Sequence, residues 1–211
     1  MASILDLLSS DVGKQLISGA SAQTGQPADK TANVLSMALP VILGAMQRNA
    51  STPQGAQSLN NALEDNRHDG TILDQLSGLL GEGNANSNLL NEGTGILGHV
   101  LGGNQEKVAQ NISKTSGVDA NSVAQIIKIA APILMGILGS QKRKDNVGES
   151  GIGDLLGSVL GKNTNHDRSL IETILDADGD GSVVDDVAGM VLGGNKKKGS
   201  LGSLLGGLFG K

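Results

Sequence analysis

Two stretches decide the fold: MALPVILGAM at residues 37–46 and IAAPILMGIL at residues 129–138. Each is apolar on every side, which suits a helix buried all round. Each holds a proline deep in its helical pattern, Pro40 and Pro132, with a glycine four residues on, Gly44 and Gly136. A proline inside a helix removes one backbone hydrogen bond and is expected to kink the rod. The glycines are expected to admit a neighbouring helix at short range.

Working outward, residues 4–48 align with 96–140 at an offset of 92 without a gap. Ile4, Leu5, Ser21, Gly25, Ala28, Ala32, Ala38, Pro40 and Gly44 meet identical residues at 96, 97, 113, 117, 120, 124, 130, 132 and 136. Nine identities at one offset, gathered on small and special residues, point to an internal repeat. Each copy reads as a short helix, a glycine stop and a long helix. The first has Val12–Gln23 ending at Gly25, then Pro27 opening a helix to about Arg48. In the second, Asp119 or Asn121 caps a helix running to about Lys144. Weaker helical segments are expected near 55–66 and 70–80, followed by a polar loop at 82–88.

Composition agrees with packed helices. The 211 residues are 38% apolar, with no Trp, Tyr or Cys and one aromatic residue, Phe209. Leu, Ile, Val, Ala and Met must therefore build the core, and the aromatic residues favoured in strands are lacking. A net charge of −5 argues against phosphate neutralisation on nucleic acid, and stacking on bases has no aromatic to use. Without cysteine there are no disulfides, thiolate sites or thiol nucleophiles. The N-terminal apolar stretch lacks a preceding basic region and is interrupted by Asp6 and Asp11, unlike a signal peptide. The longest apolar run, 130–138, is far short of the roughly 20 residues of a membrane span. The cytoplasm is the expected compartment.

The organisation expected is a duplicated helical domain over 1–144, a charged, glycine-rich linker over 145–153, and a glycine-rich helical region over 154–211. The last region repeats a theme: DLLGSVLGK (154–162), DVAGMVLGG (186–194) and SLLGGLFGK (203–211). Each carries glycines four apart. The segments are too short for a membrane dimerisation helix, so they read as short helices packing on each other or on the main domain. Self-association or attachment to a membrane surface through the last one is the alternative.

One motif carries chemistry. In ILDADGDGSVVDDV, Asp176, Asp178 and Asp180 alternate before Gly181, matching the first half of an EF-hand loop. Ser182 would offer its backbone carbonyl. The bidentate glutamate normally at the twelfth position is replaced by Val187, so Asp185 or Asp186 would close a weaker site. Ca²⁺ is favoured over Mg²⁺, and the competing reading is a bare acidic turn.

Other chemistry fails. His68, His99 and His166 are scattered without zinc spacing. His68 and His166 each precede an aspartate at an apparent helix start, which suits capping, and His99 sits among apolar residues as a core histidine would. GSVLGK (157–162) is too short for a phosphate loop and follows no strand. Lys142, Arg143 and Lys144 suit the C-terminal end of a helix, and Lys196–Lys198 read as a solvated turn.

ILDLL (4–8), MALPVILGAM, HDGTILD (68–74), ILGHVLGG (96–103), IAAPILMGIL and DGDGSVVDDV together resemble the YidB-like family of bacterial proteins, which carry a domain of unknown function. The similarity is greatest to its Bacteroidetes-type members and covers residues 1–194. It implies a multihelical bundle and supplies no catalytic residue or substrate. The expectation is an all-α, non-enzymatic protein acting through helix–helix interfaces. It is expected to form a homo-oligomer or to bind another protein, with an accessory cation loop and no small-molecule substrate. A Ca²⁺-responsive binding module is the runner-up.

Overall fold

The computed structural model describes residues 4–81 and 87–160, and every regular element among them is helical. In chain order come α1 (Ile4–Ser9), α2 (Asp11–Thr24), α3 (Ala28–Asn49) and α4 (Pro53–Glu64). A 3-10 turn (Asn66–His68) leads to α5 (Thr71–Asp74) and α6 (Leu76–Leu79). Then follow α7 (Ser87–Leu101), a second 3-10 turn (Gly102–Asn104), α8 (Gln105–Ser116) and α9 (Ala120–Lys144). A third 3-10 turn (Glu149–Gly151) precedes α10 (Ile152–Leu160).

Local chemistry sets these limits. Ser10 Oγ accepts from the Gly13 amide and starts α2, which stops at Gly25 in the left-handed region (φ 66°). Gly117 does the same for α8 (φ 70°), and Asp119 caps α9 by accepting from the Ser122 amide at 2.9 Å. Thr52 caps α4, with Pro53 in its first turn. The two glycine stops and the starts of α3 and α9 thus fall at the same offset of 92. The segment expected as one helix near 70–80 is two single turns, with Gln75 at φ −100° between them.

The core gathers on α3 and α9, which run helical through Pro40 and Pro132, both buried. Cross-packing comes in matched pairs: α2 lies on α9, and α8 lies on α3. Leu35, Ile42, Leu43, Ile126, Ile129 and Ile133 are shut from solvent. By length and apolarity α9 is able to cross a membrane, unlike the shorter run judged from sequence. Since 72% of its most apolar window is buried, a soluble core helix fits the same pattern.

After α9 the chain turns sharply. The Val147 amide returns to the Lys142 carbonyl at 2.9 Å, and Asn146 adopts the left-handed conformation (φ 50°) that Asn tolerates. Beyond this turn α10 packs on α3, α4 and α9, with Ile152 and Leu156 fully buried. Residues 152–160 therefore share the core of the preceding helices.

Candidate functional site

The chemistry-bearing side chains meet where the end of α4, the turn after it, α7 and α9 come together. Gly139 of α9 makes this approach feasible. A Cβ there would overlap the His68 carbonyl oxygen and stand 3.0 Å from that of Leu63. Gly136, one turn earlier, brings α5 close in the same way, with Ile72 Cγ2 2.5 Å from where its Cβ would be. This is the close approach anticipated at Gly136, made by a short turn rather than by a long helix.

Arg143 closes the end of α4. Its guanidinium donates to the carbonyls of Glu64 (3.0 Å), Asp65 (3.1 Å) and His68 (3.1 Å), at the end of α4 and in the turn after it. Lys142 is buried, and its Nζ donates to Glu64 Oε1 at 2.9 Å. That bond, with help from Asn60, holds the Glu64 carboxyl below its ordinary range. Arg67 binds Asp65 with two prongs, Nε to Oδ1 at 3.1 Å and Nη2 to Oδ2 at 2.9 Å, and lowers the Asp65 carboxyl well below the usual range. The Arg67 guanidinium is raised in return.

His68 occupies the centre and is 4% exposed. Its Nδ1 lies 2.7 Å from the Ala62 carbonyl, and its Nε2 lies 3.3 Å from Glu92 Oε1 on α7. The second contact is at ion-pair distance without the alignment of a hydrogen bond. Arg67 Nη1 is 3.9 Å from the same oxygen. Beside Glu92, Gly93 seats α7 against the backbone of α9 at Lys128.

Two histidines exchange the roles expected of them. His68 is a core histidine, not a helix cap; the following Asp69 accepts from the Thr71 amide at 2.8 Å and from its hydroxyl. Those bonds lower the Asp69 carboxyl, that from the hydroxyl most. His99, expected in the core, is exposed on α7. The buried row of that helix is Leu89, Gly93, Leu97 and Leu101, and position 99 falls on the opposite side. That four-residue spacing is visible in the sequence and would have placed His99 outside. Sequence reasoning missed Glu92 and treated Lys142 and Arg143 only as helix-end charges. Lys142 follows Leu138 by one turn, a signal that it shares the buried face.

Among the described residues, no group of three or more His, Asp or Glu side chains could hold a metal ion. The loop residues Asp176, Asp178, Asp180, Ser182, Asp185 and Asp186, with His166 and the two later glycine-rich segments, lie outside the described residues.

A model of bacterial proteins of unknown function, the DUF937 family, matches residues 6–141. The chain belongs to this family. The match spans both long core helices up to Gln141 and takes in His68 and Glu92, while Lys142 and Arg143 fall just past its end. No curated protein and no solved structure matches the chain.

Proposed function

We propose that this DUF937 chain is a non-enzymatic, cytoplasmic helical scaffold that works through its helix faces and self-associates. One observation carries the reading: the charged side chains gathered around His68 are spent on holding the helices and the turn after α4 together. Arg143 is committed to three backbone carbonyls, and Lys142, Asp65 and Arg67 to intramolecular pairs. His68 is shut from solvent between Ala62 and Glu92. A general acid or base needs reach to a substrate proton, which this enclosure denies.

Self-association draws support from α7. Its Gly93 is explained by the contact with Lys128, whereas Gly95 has no neighbour within 4 Å and Gly98 meets only the Gln105 amide nitrogen at 3.8 Å. Exposed glycines inside a helix weaken it by roughly 1 kcal/mol each relative to alanine. A second surface packed there would offset that cost. Light scattering during size exclusion tests the idea. We expect a particle heavier than the 21.3 kDa chain, reduced to that mass by Gly95→Lys with Gly98→Lys. A monomer at every concentration overturns it.

The same reading includes an internal duplication of 4–48 in 96–140, supported by the shared offset of caps, prolines and cross-packing, and membership of the YidB-like, Bacteroidetes-type branch. It also includes the weak Ca²⁺ loop at Asp176–Asp186. Calorimetric titration of the full chain with Ca²⁺ is expected to give heat that Asp176→Ala with Asp180→Ala removes. No heat from the wild type ends that part.

A further inference from the structure

Two hydrogen-bond acceptors bracket the buried His68 ring: the Ala62 carbonyl at 2.7 Å from Nδ1 and Glu92 Oε1 at 3.3 Å from Nε2. A carbonyl and an ionised carboxylate only accept. A neutral imidazole carries a single N–H, so it serves one of the two whichever way the ring is turned. The facing atoms, Nε2 and Oε1, are both closed off from solvent. Two acceptor atoms left 3.3 Å apart in such a place, with no hydrogen shared between them, are disfavoured.

The charged groups around the ring do not relieve this. Arg67 Nη1 is 3.9 Å from Glu92 Oε1, but its two shorter contacts go to Asp65, and its side chain is 68% exposed. From α9, Arg143 binds the His68 carbonyl and Lys142 serves Glu64 of α4. Asp69 is taken up by Thr71. Gly93 holds the backbone of that turn of α7 flush on Lys128, so Glu92 stays beside the ring as long as its side chain keeps this rotamer.

We propose that His68 and Glu92 hold one buried proton in common, and that this proton latches α7 to the turn after α4. It resides as imidazolium with carboxylate or as imidazole with carboxylic acid. Raising the pH removes the proton, leaves two acceptors opposed and loosens α7 from the turn. The latch is independent of whether the protein is a scaffold.

Glu92→Gln tests it in the full chain. The amide places an N–H against Nε2 at every pH and so replaces the proton permanently. Thermal unfolding of both proteins is followed from mildly acidic to alkaline pH, with ring ¹⁵N and carboxyl ¹³C spectra of His68 and Glu92. The melting temperature of the wild type is expected to fall relative to the variant as pH rises. At neutral pH the spectra should show either a doubly protonated ring or a protonated carboxyl. A difference in melting temperature that stays constant with pH overturns the latch, as does a neutral ring beside an ionised Glu92 at neutral pH. Should the variant fail to fold, the wild-type spectra decide alone.

Discussion

Gly93→Ala and Gly95→Ala place the same methyl on the same helix two residues apart, and the structure assigns them opposite signs. At position 93 the added Cβ overlaps the Lys128 carbonyl oxygen and stands 2.8 Å from its carbon, 0.6 Å short of the 3.4 Å of ordinary contact. The obstacle is helix backbone, which cannot swing aside as a side chain can. Relief requires α7 to lift from α9 and to draw Leu89, Leu97 and Leu101 partly out of the core. Overpacking of this kind costs about 1–3 kcal/mol and occasionally more. The alanine returns roughly 1 kcal/mol of helix propensity, so a net loss of up to about 2 kcal/mol is expected. At position 95 nothing of the same chain lies within 4 Å, so in protein dilute enough to be monomeric only the gain of roughly 0.5–1 kcal/mol remains. In a chain of this size the pair should differ by about 1–12 °C in melting temperature, since each kcal/mol moves it ~2–4 °C. Urea unfolding at fixed protein concentration measures both, with the slope checked for constancy. Equal stabilities, or a more stable Gly93→Ala, would refute the packing assigned to α7.

Thr31 is fully buried and its hydroxyl has no partner, so Thr31→Val should stabilise the fold by about 1 kcal/mol, read from the shift in urea midpoint. The Asp119 carboxyl is lowered by its bonds from Ser122, so its stabilising effect is full above the ordinary carboxylate range and lost as pH falls through the lowered value. Asp119→Asn should therefore flatten the acid limb of the melting profile while leaving the neutral limb nearly unchanged. An acid limb identical to the wild type would contradict the cap.

Much of the fold is legible because its limits are written in local chemistry. Gly25, Pro27 and Asp119 act on their own neighbours, and the end of α9 near Lys144 follows from its cationic last turn. The break at Gln75 has no such marker; the two turns around it follow contacts made elsewhere, among them the approach of Ile72 to Gly136. The polar cluster was less legible for the same reason. His68 and Arg143 are 75 residues apart and Glu64 and Lys142 are 78 apart, so only packing brings them together. Glycine helped where its neighbours lay within the same pattern. At Gly93 and Gly139 its purpose is a partner carbonyl from a distant element, which no spacing reveals.

The central claim is that α3 and α9 form one shared centre, with each proline-bearing rod depending on the other. Native-state hydrogen exchange tests this most directly. Amides of 41–46 and 133–138 are expected to exchange together, last of all, and only through global unfolding. Exchange of either stretch faster than α4 or α10, or at a free energy well below the other, would contradict the account.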